Sequence, residues 1–228
     1  AFQPDGMIVA VAGDIGMDRV ESLVSSTFNR GSGHARGLLM ETENKLMTHW
    51  LEESQTVTFA RDDSSQAHIL QGWLFPNVND VDYYPLVVMN TILGAAGLSS
   101  RMFLELRDKQ GLAYNVRSVY ETYRHKGFFY LYIGTEPHNK QRCLDGFRIE
   151  CEKLMNEPVS AKELEDAKRN ILGRRSVFLE TAPQQANYIG VNYAIGRSPE
   201  DIEELPQRIR SVTIEEVQRA AQTWLSKP

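Results

Sequence analysis

The chain reads as an α+β domain, a largely antiparallel sheet covered by helices. Three observations predict this class. Residues 68–75, 116–120 and 128–133 are apolar, aromatic and β-branched runs of strand length. The last two flank a short polar turn and so read as a hairpin, whereas the C-terminal third carries apolar residues at helical spacing only. With 228 residues and 42% hydrophobic content the chain is large enough to bury a real core.

Residues 7–12 form an apolar run of strand type that stops at Gly13, and Val20, Leu23, Val24, Thr27 and Phe28 follow at helical spacing. Residues 1–30 are therefore predicted as a strand-helix unit. The glycines of its turn, Gly13 and Gly16, suit a tight connection, because a phosphate cradle would need a longer glycine pattern and a lysine. Residues 31–54 are polar and glycine-containing and predict a linker or long loop. Strands at 56–60 and 68–75 precede a helix over 81–93, with Asp80 near its cap. A further helix follows Ser99 or Ser100, either of which can cap it; Met102, Phe103 and Leu106 form its apolar stripe, and Gly111 supplies the left-handed residue that ends it. The hairpin turns around Arg124, His125, Lys126 and Gly127. Helices are predicted at 140–155, 161–179, 183–194, 199–209 and 214–225, two of them opened by capping boxes, Ser160 with Glu163 and Thr213 with Glu216.

Charge and composition exclude several function classes. Thirty acidic residues against 25 basic ones leave a net charge of −5, and no Lys/Arg run offers a footprint for nucleic acid. No apolar stretch approaches the ~20 residues that span a bilayer, and the first residues lack the pattern of a signal peptide, so no membrane span is expected and the compartment stays open. Cys143 and Cys151 lie eight positions apart in one predicted helix, about 12 Å along its axis, too far to bridge; they read as core residues. The five histidines, His34, His49, His68, His125 and His138, include no pair three or four positions apart. A helical zinc motif is therefore missing, and no metal is expected in this chain. A serine nucleophile elbow is also absent. The small residues from Gly94 to Gly97 suit close packing or an anion at a helix start. Glu163, Glu165, Asp166, Lys168, Arg169, Arg174 and Arg175 suit a solvated helix face. Phe128, Tyr130 and Tyr132 share one strand face, either a peptide-facing surface or an aromatic core.

Arg107 and Tyr114 carry the main functional signal. They lie seven positions apart across the Gly111 helix stop, one in the last helical turn and one early in the next strand, so both can project from one corner. A planar guanidinium and a phenol at one place suit a peptide carbonyl or a developing oxyanion. The same residues have an ordinary structural use, since a cation favours a helix C-terminus and tyrosine favours strands.

In these residues the chain resembles the pitrilysin family of zinc metallopeptidases, the inverted zincins, which includes mitochondrial processing peptidases and bacterial two-domain enzymes. It is similar to their C-terminal half. The matching stretches are, in order, MIVAVAGDIGMDRVESLVSSTF, QAHILQGWLFP, LGAAGLSSRMF, LRDKQGLAY, GFFYLYIGT and the helical segments from VSAKELEDAKRNILG onward. The resemblance implies that residues 1–30 correspond to the end of the preceding half and residues 55–228 to the substrate-binding half. It implies a partner half or subunit holding zinc on a His-x-x-Glu-His helix, a peptide substrate, and an inactive chain in isolation. By motif position Arg107 and Tyr114 are the residues lent to the substrate. The family pattern continues into a last strand beyond residue 228, and the strand at 7–12 is expected to take its place. The alternative is a structural or interaction protein on the same scaffold, like the core subunits of respiratory complexes, although that role has no evident need for the Arg107 and Tyr114 pair.

Overall fold

The computed structural model describes residues 7–28, 54–61 and 64–226. By internal packing the chain divides into two units, residues 1–59 with 179–191 and residues 60–178 with 192–228. In the first unit the described residues include helix α1 (Met17–Phe28), which buries no residue. Residues 7–12 are not in a strand, and Met7, Ile8, Val9 and Val11 are all more than 40% exposed. The expected strand therefore does not form. An apolar run supplies a face, but a strand also needs a neighbour to bond with. The predicted strand at 56–60 fails likewise, with Val57 and Phe59 exposed. The predicted linker, apart from Ser54, lies outside the described residues.

The second unit is built on an antiparallel sheet of order β1-β3-β2, made of β1 (Ala67–Phe75), β2 (Ala113–Thr122) and β3 (Gly127–Thr135). Alternation sorts the sheet into two faces. Ile69, Trp73 and Phe75 of β1, Val116 and Ser118 of β2, and Phe129, Leu131 and Ile133 of β3 are buried. On the other face the rows Leu70–Tyr132–Arg117 and Leu74–Phe128–Glu121 lie across the three strands. Leu70 there is 64% exposed and Leu74 44%. Phe128 and Tyr130 stack on this outer face, so the aromatic stripe is not core.

Helices cover the buried face. They are α2 (Tyr83–Asn90), α3 (Lys140–Asn156), α4 (Ala161–Phe178), α6 (Pro199–Ser211) and α7 (Ile214–Trp224), close to their predicted bounds; α5 (Ala182–Ala194), also near its predicted bounds, lies mostly in the first unit and buries no residue. Both capping boxes are present, Ser160 with Glu163 and Thr213 with Glu216. Phe75 and Phe129 stack with ring centroids 4.7 Å apart in the same core cluster as Leu86, Met89, Phe147 and Val217. The buried Asp82 precedes α2, yet its carboxylate does not cap it. It accepts from Arg219 Nη2 at 2.8 Å and Trp224 Nε1 at 3.0 Å, and so ties α7 to α2. Among the described residues no helix is long and apolar enough to cross a membrane.

After α2 the chain widens into a π-helical turn, Thr91–Ala95. It packs on β2 so closely that a Cβ placed on Gly94 would lie 2.3 Å from Ser118 N. Only glycine fits there. Gly94→Ala should lower stability by about 1–3 kcal/mol through overpacking, read as a fall of several degrees in Tm. Gly173 lies inside α4 with open space around it, so Gly173→Ala should raise Tm through helix propensity. Equal effects of the two substitutions would contradict this packing.

Candidate functional site

Ser100 is extended, with φ −79° and ψ 154°, and accepts from Leu104 N, which sets the start of the next helical segment. Its hydroxyl does not cap that segment. The Oγ donates backward to Gly97 O at 2.7 Å, because the turn before it leaves that carbonyl in reach. The segment itself is π-helical over Phe103–Asp108, with Lys109 N bonded to Leu104 O, five residues back. Met102 and Leu106 are buried as predicted, and Leu106 seats against Gly146 of α3, where a Cβ would meet Leu106 Cδ2 at 2.3 Å.

The helix stop occurs at Gly111, whose φ of +62° is the left-handed conformation expected from sequence. Gly111 N bonds to Arg107 O at 3.0 Å and Leu112 N to Leu106 O at 2.9 Å, a C-terminal cap widened by one residue to match the π-helical pitch. The chain then enters β2, where Ala113 pairs with Thr135 and Asn115 with Gly134. Tyr114 is the extra residue between them, a β-bulge. Thr135 Oγ1 donates to Leu112 O at 2.6 Å and holds the strand entrance at this point.

These two irregularities bring Arg107 and Tyr114 together. The Arg107 guanidinium carbon lies 4.6 Å from the Phe103 ring centroid and 5.0 Å from that of Tyr114, and Tyr114 is 83% exposed. Neither side chain makes a hydrogen bond or ion pair among the described residues. Arg107 also lines a cleft of about 690 Å³ with Asn90, Gly97, Arg117, Ser118 and Arg174. The Gly111 stop was legible in the sequence; the π-helical widening and the bulge carried no signal there.

Arg101 anchors this segment to α4 through an ion pair with Glu163, 2.7 Å long. Burial pushes the Glu163 carboxyl up, but hydrogen bonds from Arg101 and Ser160 outweigh it and bring the group down to about 2. Cys143 and Cys151 are buried free thiols; burial raises both, Cys151 to about 12, so neither is poised as a nucleophile or ligand. His68 Nδ1 lies 2.9 Å from the Tyr132 hydroxyl, and His138 sits beside Glu136, whereas His34 and His49 lie outside the described residues. Among the described residues no three His, Cys, Asp or Glu side chains converge as a metal site would require. Those residues do not fit a zinc ion.

Residues 1–171 match the model of the peptidase M16 inactive domain. The chain belongs to that family. It is 31% identical over 232 residues to an uncharacterized zinc protease of Mycobacterium bovis, an alignment covering 99% of this chain and 51% of that protein. An uncharacterized zinc protease of Bacillus subtilis is 27% identical, with 95% of this chain and 50% of that protein covered. The crystal structure of a protease from Helicobacter pylori superposes with a TM-score of 0.75 at 17% identity, covering 95% of this chain and 52% of that one. The chain thus spans about half the length of the relatives it matches.

The lowered Glu163 group makes stability depend on acid. Its contribution is complete above the ordinary carboxylate value of 4.5 and is lost as pH falls toward 2. Glu163→Gln should therefore flatten the decline in urea midpoint between pH 4.5 and 2 while costing stability at pH 7. Parallel profiles for the two proteins would remove this assignment.

Proposed function

We propose that this chain is the substrate-binding half of a two-half zinc endopeptidase, and that Arg107 and Tyr114 hold the peptide main chain beside the bond to be cut. The observation that carries this reading is the stack of the half-buried Arg107 on the exposed Tyr114 ring, with the hydrogen-bonding capacity of both unused. A guanidinium has five N–H donors and no acceptor, and a phenol has one O–H, so together they match backbone carbonyl oxygens. Arg107 is held between the Phe103 and Tyr114 rings, which removes rotamer freedom before any peptide arrives. The Tyr114 hydroxyl would donate to the scissile carbonyl as negative charge develops on its oxygen, and Arg107 would fix a neighbouring carbonyl.

The partner half, carrying a His-x-x-Glu-His helix, would supply the metal chemistry. The match of this chain to about half of each zinc protease relative supports such a partner. The exposed outer face of the sheet, with Phe128, Tyr130 and Tyr132, would form part of the surface over which the peptide passes.

In the complete two-half protein, Tyr114→Phe keeps the ring under Arg107 and removes only the hydroxyl. It should lower kcat about 100- to 1,000-fold, with Arg107→Ala in the same range, while zinc content by metal analysis stays at the wild-type level. Normal turnover in both variants would overturn the assignment, and would leave the scaffold role as the better account.

A further inference from the structure

Resting on the peptide-binding reading above, we propose that the cleft beside Arg107 is a carboxylate-binding subsite, which takes an acidic side chain or the free C-terminal carboxylate of the bound peptide. Its charged and amide-bearing walls are Arg107, Arg117 and Arg174 with Asn90, Asn115 and Asn170, and no Asp or Glu lines it. That is a concentration of positive charge in a chain whose net charge is −5. Five arginines elsewhere, Arg101, Arg148, Arg169, Arg208 and Arg219, each pair with a carboxylate, while Arg124, Arg142 and Arg197 are spread singly over other elements and bond to neutral oxygens. Among the described residues the three cleft arginines pair with no carboxylate.

They are nevertheless held in place. Arg107 lies between two aromatic rings, the Arg117 guanidinium carbon sits 5.3 Å from the Tyr132 ring centroid, and Arg174 Nη1 donates to Ala95 O at 2.9 Å. Each is braced by a ring or a carbonyl, contacts that orient a guanidinium without cancelling its charge. Ser118 Oγ lies 2.6 Å from Asn90 Oδ1, which occupies the oxygen end of that amide and leaves its nitrogen as a spare donor. A volume of about 690 Å³ accommodates a side chain or a chain end. Planar donors of this kind match carboxylates in two-point geometry, and the carboxylate is the anion that an unmodified peptide carries.

Paired peptides in the complete two-half protein test this. One arm compares Glu with Gln in C-terminally amidated peptides, and the other compares free acid with amide in peptides lacking acidic residues. The wild-type ratio of kcat/KM within at least one pair should favour the carboxylate by about 10- to 100-fold, and the arm that shows it identifies the source. Arg117→Gln should bring that ratio toward 1, and Arg117→Glu should shift preference to a Lys-bearing peptide. A thermal midpoint confirms that both variants fold. Tyr114→Phe should slow both members of a pair alike and preserve their ratio, which separates failure of the main reading from failure of this one. Wild-type ratios near 1 in both arms, or a ratio unmoved by Arg117→Glu, would overturn the subsite.

Discussion

The seating of Leu106 on Gly146 is the contact from which the candidate site is built. The π-helical segment can lie this close to α3 only because position 146 lacks a Cβ, and that depth fixes where Arg107 emerges. Gly111 then reverses the chain within one residue, so β2 begins beside the segment it has just left. Any larger separation between helix end and strand start would part the guanidinium from the phenol. A loop-borne pair would be less well ordered. Here both groups sit at the ends of packed elements.

The second constraint is electrostatic. Most charged residues of the helical layer are engaged close to home, in capping boxes, in pairs three or four positions apart and in the Asp82 junction with α7. Exposed pairs of this kind contribute little to stability individually, but they balance charge over the helix surfaces. The cleft beside β2 differs, because its walls come from the Gly94–Gly97 turn, strand β2 and α4, none of which brings an acid into it. Its unbalanced charge follows from the local sequence, which places asparagine, glycine and arginine where the helices use glutamate.

The elements of the helical layer were readable because they depend on local pattern. Capping residues at 160 and 213, apolar spacing through Cys143, Phe147, Cys151 and Leu154, and the left-handed glycine at 111 each specify structure within a few residues. The hairpin was readable for the same reason. The runs at 7–12 and 56–60 misled because their strand character needed a pairing partner that local pattern cannot reveal. At the site, spacing brought Arg107 and Tyr114 to one corner, yet helical and strand periodicity alone would not have stacked them. The extra residue per π-turn and the extra residue in the bulge each rotate a side chain away from its regular position, and both arise from tertiary packing. The Arg117 and Arg174 contributions were invisible for a different reason, being 57 positions apart in sequence and joined only by the fold.

The bulge at Tyr114 also has a bearing on self-association. Among the described residues β2 lies at the margin of the sheet, a row of main-chain groups that another molecule could copy in register. An added residue at one end and the Gly94 turn pressed against Ser118 in the middle break that row into short pieces. A stray strand would find no continuous template there, and the protein is guarded against stacking into fibres along this border.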